Sequence, residues 1–244
     1  MKAEQLQLAL RPRPAYEAVD LGVAMAQRSA RSLRRAYVPL ALGLVVACGA
    51  TIEIEPWLPG TLLWWFLPWL DSALLHVFAR QAFGDETSFD DAWAARRKAP
   101  WLTMIQRLTL WRLSPWRAYS MPVAQLEGQT GSARRQRVAA ILRSHRGAAM
   151  MMQSAFSWVW FFLMLGLAAL LPLLTPGLRG TPALAWLDGG SLGATVVLYA
   201  AQALAMLFVE PFFVAAGFAM YLNRRVELEA WDVEQDLRHA FAPR

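Results

Sequence analysis

The stretch Val209–Asp232, VEPFFVAAGFAMYLNRRVELEAWD, decides the fold class because it shows how a long apolar run ends. Its first half is apolar except for Glu210, which stands beside Pro211. Its second half begins with Arg224 and Arg225 and continues with acids. Apolar runs that end in basic residues are typical of membrane-spanning helices, since Lys and Arg collect at one face of a membrane. The stretch therefore predicts the end of a transmembrane helix that carries an acid inside it.

The composition of the whole chain also indicates a membrane protein. Of its 244 residues, 57% are hydrophobic and only 17% are charged, whereas a soluble domain carries about 25% charged residues. The net charge of +6 could by itself indicate a nucleic-acid partner. A membrane protein has the same basic excess for another reason, because its cytoplasmic loops are rich in Lys and Arg. We therefore expect no nucleic-acid partner.

Four segments are long and apolar enough to cross a hydrocarbon layer of about 30 Å, which needs about 20 residues. They lie at about 36–54, 60–78, 148–174 and 192–222. As a helix the last would reach roughly 46 Å, so it must tilt, extend past the bilayer or break, and Pro211 is the plausible break point. The sequence predicts an all-α polytopic membrane protein with four transmembrane helices and amphipathic helices at its surface.

The basic residues lie almost entirely on one side of these four segments. Seven Lys and Arg precede the first segment, twelve lie between the second and third, and four follow the last, which makes 23 of the 24 in the chain. The positive-inside rule assigns that side to the cytoplasm. We therefore predict that both termini are cytoplasmic.

These assignments divide a single structural domain into two transmembrane hairpins, 36–79 and 148–222, and three charged stretches. The charged stretches are the N-terminal segment 1–35, the basic loop 80–147 and the tail 223–244. In 1–35, small and apolar residues recur at helical spacing with arginines between them. This pattern predicts an amphipathic helix that lies on an anionic leaflet or, as the alternative, packs on protein.

Three helices are predicted between the two hairpins. In Asp85–Lys98, DETSFDDAWAARRK, Ser88 and Asp91 can form a capping box at the start of a short helix. The stretch 100–118 mixes Trp with Arg, which predicts a helix in the membrane interface, and a re-entrant segment is the alternative. A basic helix follows within 128–146.

Basic side chains of the loop and the tail are candidates for contact with lipid headgroups, since Arg can reach from an interfacial helix to anionic lipid. Membrane lipid is therefore one expected partner. The acids that follow the last span either face solvent or pair with the basic loop. The candidate headgroup contacts are Arg107, Arg112, Arg117, Arg134, Arg135, Arg224 and Arg225.

No motif that carries catalysis or binds a metal is recognisable in the sequence. The three histidines are far apart, and Cys48 is the only cysteine. The patterns HExxH, CxxC and the nucleophile elbow are absent. We therefore predict no catalytic residue, no metal site and no cofactor, and the chain is most simply not an enzyme.

Asp71 in the second span and Glu210 in the fourth form a possible polar site within the membrane. Each lies roughly 13–20 Å from the cytoplasmic end of its helix, where an ionisable group is costly. No Lys or Arg lies at that depth in any span, so we expect no cation to neutralise them. The acids either bind a proton, cation or polar substrate, or satisfy backbone opened by prolines and hold helices together. Expected hydrogen-bonding neighbours are Gln153, Tyr199 and Gln202.

Two parts of the chain resemble known membrane proteins. PFFVAAGFAMYLNRRVELEAWD, 211–232, resembles the final span and exit of the membrane domain associated with glycerophosphodiester phosphodiesterases. LSPWRAYSMPVAQLEG, 113–128, with VFARQAFGDETSF, 77–89, is similar to proteobacterial multi-span membrane proteins. The resemblance implies a bacterial inner-membrane protein within a membrane assembly. The phosphodiesterase's metal-binding catalytic domain has no counterpart here, so we expect none of its activity.

Together these patterns favour a structural or accessory subunit of a bacterial inner-membrane complex, in contact with lipid and with a partner protein. A homo-oligomer is compatible with this role. The main alternative is a small transporter or channel component that uses Asp71 and Glu210. A lipid-modifying enzyme at the inner interface is the less favoured third hypothesis.

Overall fold

A computed structural model of the chain describes residues 12–97, 114–174 and 192–229. These ranges contain helices and turns but no strand, which confirms the predicted all-α class. The helices are α1 (Ala15–Arg28), α2 (Ala30–Gly49), α3 (Leu58–Ala82), α4 (Phe89–Arg97), α5 (Arg117–Gln125), α6 (Gly131–Leu142), α7 (Arg146–Leu174) and α8 (Leu192–Glu229).

Four of these helices, α2, α3, α7 and α8, are long and apolar enough to cross a membrane. The four predicted segments are therefore confirmed as helices, with shifted ends. Both ends shift toward the N-terminus in α2, which begins at Ala30 and ends at Gly49. Thr51 helps to end this helix, because its hydroxyl donates to the carbonyl of Cys48 at 2.7 Å and supports a turn.

The longest helix, α8, packs against α1, α3, α5 and α7 and so organises the bundle. It runs without interruption for 38 residues, which corresponds to about 57 Å. Of the three alternatives for this span, the break at Pro211 is therefore wrong. A proline inside a helix removes the hydrogen bond to the carbonyl four residues earlier, here Leu207, and the surrounding helices keep the chain helical on both sides. A helix of this length must tilt or extend beyond a bilayer of about 30 Å.

Two glycines bring α1 and α5 into close contact with α8. A Cβ added at Gly22 of α1 would lie 2.5 Å from the Cα of Ala216. A Cβ added at Gly217 of α8 would lie 2.5 Å from the Cβ of Ala118 in α5. Neither contact leaves room for a side chain, so glycine is required for the backbones to approach, as small residues do between membrane helices.

The first helix packs on protein along α8. The side-chain amide of Asn223 donates to the carbonyl of Arg13 at 2.8 Å, whereas Gly22 meets Ala216, so the two helices run in opposite directions. Of the two alternatives for the N-terminal segment, packing on protein is therefore correct for the inner face of α1. That face consists of Ala18, Gly22, Met25 and Ala26.

We expect Gly22→Ala to lower the free energy of unfolding by about 1–3 kcal/mol, because the added methyl would overlap the backbone of α8. Gly166→Ala in α7 is the matched control, since the described part of the chain places no neighbouring element within 4 Å of its new Cβ. That control should be neutral or stabilising by about 0.5–1 kcal/mol. Unfolding of the purified protein in mixed micelles measures both, and equal stabilities would contradict the close packing of α1.

At the other end of the bundle, polar side chains of α8 bind backbone carbonyls of the first hairpin. The hydroxyl of Tyr199 donates to the carbonyl of Val45 at 2.6 Å, and the amide of Gln202 donates to the carbonyl of Gly60 at 2.9 Å. These bonds join α8 to the end of α2 and to the start of α3. The first hairpin is therefore fixed to α8 at the end of the bundle that lies opposite to α4 and α6.

The short helix α4 begins with the predicted capping box, which is confirmed. The backbone N–H of Asp91 donates to the hydroxyl of Ser88 at 3.2 Å, and the backbone N–H of Ser88 donates to Asp91 Oδ2 at 3.1 Å. The bonds from the backbone and hydroxyl of Ser88 lower the pKa of Asp91. The same carboxylate lies 3.4 Å from Arg80, so the cap also ties α4 to α3.

Candidate functional site

Asp71, Arg117 and Glu210 form a buried group, here called the ion triad, that joins α3, α5 and α8. Arg117 Nη1 lies 2.9 Å from Asp71 Oδ2, and Arg117 Nη2 lies 2.8 Å from Glu210 Oε1. The side chains of Asp71, Arg117 and Glu210 are only 1%, 10% and 9% exposed. The two candidate acids therefore meet through one guanidinium group.

The expectation that no cation neutralises these acids is wrong. That expectation covered only Lys and Arg inside the spans, whereas Arg117 comes from the loop between the hairpins. It stands at the first position of α5, and the next six residues, 118–123, are all buried. The stretch 118–126 carries no charge. This absence of charge is a sequence signal for insertion into protein, but the Trp and Arg residues before the stretch obscure it.

The same placement corrects the expected lipid contact of Arg117. Its guanidinium is enclosed by protein and paired with carboxylates, so it does not reach headgroups. Burial by itself lowers the pKa of Arg117, but the charges of Asp71 and Glu210 outweigh burial and raise its pKa above the ordinary value. The guanidinium also lies over the ring of Phe213, 5.2 Å from its centroid. Arg117 is therefore a permanent cation within the bundle.

Tyr37 is a further residue at this site that the sequence analysis missed. It ends a π-helical turn, Leu33–Tyr37, within α2 and is 2% exposed. Both Glu210 and Asp71 act on it electrostatically. Its hydroxyl has no hydrogen-bond partner in the described part of the chain. A π-helical turn redirects side chains and often occurs at functional sites, but apolar periodicity gives no signal for it.

The expected polar neighbours of the acids bind elsewhere. Tyr199 and Gln202 donate to carbonyls of the first hairpin, as described above. The amide of Gln153 donates to the hydroxyl of Ser157 at 3.4 Å, within the same helix. The ion-pair partner of both acids is therefore Arg117 and not one of these three side chains.

Arg117 borders two cavities. The first, here called the Glu210 cavity, has a volume of about 320 Å³ and lies between α3, α7 and α8. The second, the Asp71 cavity, has a volume of about 270 Å³ and lies between α3, α5 and α6. The Glu210 cavity is lined by Trp64, Gln153, Phe156 and Trp160 in addition to Glu210. The Asp71 cavity is lined by Ser114, Trp116, Ser120 and Arg134 in addition to Asp71.

Asp71 is incompletely satisfied by Arg117. Its Oδ2 makes the ion pair, whereas its Oδ1 is buried and accepts no hydrogen bond in the described structure. A buried carboxylate oxygen without a donor is costly, and such groups in native proteins require an explanation. Arg117 Nη1 likewise has no hydrogen-bond acceptor in the described structure, so the contact between Asp71 and Arg117 is an ion pair without an aligned hydrogen bond.

A second charged network, here called the Glu127 network, lies where α5 ends. Glu127 accepts two hydrogen bonds from Arg137 of α6, at 2.8 and 3.1 Å, and one from the hydroxyl of Tyr221 of α8, at 2.6 Å. Arg225 lies 3.9 Å from the same carboxylate and over the Tyr221 ring. The network fastens the loop to the charged end of α8.

Among the described residues, one acid after the last span lies against the basic loop. Glu227 lies 3.7 Å from the ring of His145, and Arg224 Nη2 donates to the carbonyl of Arg143 at 3.3 Å. Glu227 also pairs with Arg224 at 2.6 Å. The tail beyond Glu229 lies outside the described residues.

The remaining expected headgroup contacts divide into three groups. Arg224 and Arg225 are each 14% exposed and lie close to acids of the protein. Arg134 is half-buried and Arg135 is exposed, and for these two headgroup contact stays a prediction. Arg107 and Arg112 lie outside the described residues, as does most of the stretch 100–118.

Comparison with known proteins gives no match to this chain at the level of protein families, of individual proteins or of solved structures. The resemblance to the membrane domain associated with glycerophosphodiester phosphodiesterases therefore stays a prediction. The geometry of the described residues is the basis for any functional proposal.

Proposed function

We propose that the protein is a structural or accessory subunit of a bacterial inner-membrane complex. The observation that carries this proposal is the ion triad, because its charged groups bind one another and hold α3, α5 and α8 together. The Glu127 network does the same for α5, α6 and α8. Both networks fix loop helices onto the transmembrane bundle, which gives the molecule a rigid basic face suited to holding a partner.

The sidedness of the proposed subunit follows from its charge distribution. With 23 of 24 Lys and Arg on the side of α4 and α6, that side faces the cytoplasm, together with both termini. We expect alkaline phosphatase fused after Gly128, in the turn between α5 and α6, to be inactive, because the enzyme needs the periplasm. Fusion in the turn after Gly49 should be active. The reverse pattern would overturn the orientation.

Partner binding is tested on native membranes with a tagged chain at its natural expression level. We expect the protein to migrate in a complex larger than itself on a native gel. Arg135→Glu, which reverses an exposed charge on α6, should weaken this complex while leaving the stability of the purified protein unchanged. Glu53→Lys, on the exposed turn at the other end of the bundle, is the control. A chain that migrates alone would contradict the subunit role.

The two cavities that meet at Arg117 favour a second candidate, a small transporter or channel component that uses Asp71 and Glu210. In this role, movement of Arg117 would connect the cavities. Proton flux into proteoliposomes, followed with an enclosed pH-sensitive dye, provides the test. Asp71→Asn and Glu210→Gln should abolish a flux that the wild-type protein supports while both variants stay folded. If the variants only lose stability, the transporter role is contradicted and the structural role stands.

A further inference from the structure

The Glu210 cavity lies in a cleft between two helices that share α8 as a common neighbour. In the described structure α3 and α7 both pack along α8 but make few direct contacts with each other. The cavity of about 320 Å³ falls within the range of small-ligand pockets, about 300–1,000 Å³. Ser157, which lines it, is exposed at the surface of α7. A ligand dissolved in the membrane can therefore enter the cavity between the helices.

Two buried polar atoms in the wall of this cavity have no hydrogen-bond partner among the described residues. They are the acceptor Gln153 Oε1 and the donor Trp160 Nε1–H. Both side chains come from α7, and their spacing of seven residues places them on one face of the helix, about 10 Å apart along its axis. A buried indole N–H usually finds an acceptor, and unpaired buried polar atoms require an explanation. The wall therefore offers a ligand one acceptor and one donor.

The charged groups at the end of the cavity do not favour an ion. Arg117 and Glu210 both line it, but they are paired with each other, and Arg117 is also paired with Asp71. An anion would meet a guanidinium that two carboxylates already share. A cation would lie beside that guanidinium, which covers the ring of Phe213. The ligand that fits is an uncharged molecule with a hydroxyl donor and a separate oxygen acceptor.

We propose that the Glu210 cavity binds an uncharged glycerolipid of the diacylglycerol class. The free hydroxyl of the glycerol donates to Gln153 Oε1, and an ester carbonyl accepts from Trp160 Nε1–H. Gln153 is the nearer of the two to the basic end of α7 at Arg146, and Trp160 lies two turns further into the span. Hydroxyl, ester and acyl chain follow one another in the same order from the surface of a lipid leaflet inward.

The remaining lining suits the apolar part of such a lipid. It is largely aromatic and aliphatic, and a glycerol backbone with the first acyl carbons can contact it without leaving further polar groups unpaired. The acyl chains leave the cavity through the cleft between α3 and α7. The apolar lining consists of Trp64, Leu67, Phe156, Met206, Val209 and Phe213.

This inference goes beyond the proposed subunit role, because no partner protein contributes to the cavity. If the chain proves to be alone in native membranes, the subunit role fails and the lipid preference described here is unaffected. If the lipid preference fails, the complex on native gels is unaffected.

The test compares three short-chain lipids bound to the purified full-length protein in detergent micelles, by native mass spectrometry and by the rise in unfolding temperature. Dioctanoylglycerol carries both polar groups. Its deoxy analogue lacks the hydroxyl, and the diether dioctylglycerol lacks the ester carbonyls. We expect dioctanoylglycerol to bind about 3- to 10-fold more tightly than either analogue, the ratio for one hydrogen bond between uncharged groups.

Two variants assign the two hydrogen bonds. Gln153→Leu should abolish the preference over the deoxy analogue and keep the preference over the diether. Trp160→Phe should do the opposite. Trp158→Phe is the matched control, because Trp158 is 59% exposed and lies outside the lining of the cavity, and it should change neither ratio. Should a variant fail to fold, the comparison of the three lipids on the wild-type protein still decides.

Three results would overturn the proposal. The first is equal binding of the three lipids to the wild-type protein. The second is binding of dioctanoylphosphatidylcholine, which has no hydroxyl, at least as tightly as dioctanoylglycerol, since this would indicate a phospholipid site. The third is unchanged lipid ratios in folded Gln153→Leu and Trp160→Phe proteins, which would place the bound lipid elsewhere on the bundle.

Discussion

Arg117→Met should lower the free energy of unfolding by about 3–5 kcal/mol, the range for breaking a buried ion pair by removing one partner. The substitution keeps most of the side-chain volume but leaves Asp71 and Glu210 facing each other without a cation. Both carboxylates are nearly inaccessible to water, so solvent cannot replace the guanidinium. The bundle must then separate α3 from α8, admit water or protonate an acid, and each of these lowers stability.

Reversible unfolding of the purified protein in mixed micelles measures this loss. Arg35→Met is the matched control, because Arg35 pairs with Glu86 at 3.2 Å but is 63% exposed. An exposed ion pair contributes about 1 kcal/mol or less, so the control should remain close to wild type. Similar losses for the two variants would show that burial of Arg117 does not matter to stability.

Glu127→Ala should be the second most destabilising of the proposed substitutions, at about 2–3 kcal/mol. The substitution removes the acceptor for Arg137 and for the buried hydroxyl of Tyr221. It also removes the one carboxylate that Arg137 and Arg225 are both seen to contact. Because Arg137 is 28% exposed, solvent screens part of the loss, and we expect a smaller effect than for Arg117.

Glu86→Ala provides the control for this prediction. Glu86 also lies between two arginines, Arg31 and Arg35, at 3.3 and 3.2 Å, but it is 59% exposed. Its removal should cost about 1 kcal/mol or less. Limited proteolysis gives a second readout, since loss of Glu127 should expose the turn between α5 and α6 to cleavage. A Glu127→Ala protein as stable and as resistant as Glu86→Ala would refute the anchoring role of the network.

The transmembrane helices could be predicted from the sequence because their signal is local. Each span is an apolar run long enough for a bilayer, and the run around Glu210 ends at a basic pair. The capping box at Ser88 is equally local, since its partner stands three residues away. Burial of Asp71 and Glu210 follows from the same reasoning, because an acid in the middle of an apolar helix avoids lipid.

The partner of those acids could not be predicted because the contact is not local. Arg117 lies 93 residues from Glu210 in the chain, and its neighbours Trp111 and Trp116 are typical of a membrane interface. The packing of Ala118 against Gly217 and the burial of residues 118–123 show that α5 lies inside the bundle. The continuity of α8 through Pro211 has a similar origin, since tertiary contacts on both sides overcome the local preference for a break.

The pairing of Arg117 with Asp71 and Glu210 is tested most directly by a double-mutant cycle on unfolding stability. Arg117→Met is introduced into the wild-type protein and into the Asp71→Asn/Glu210→Gln background. Because the background has no carboxylate left to neutralise, the cost of Arg117→Met should fall there, giving a coupling of at least about 2 kcal/mol. Costs that agree within about 0.5 kcal/mol in the two backgrounds would show independent residues and would contradict the ion triad.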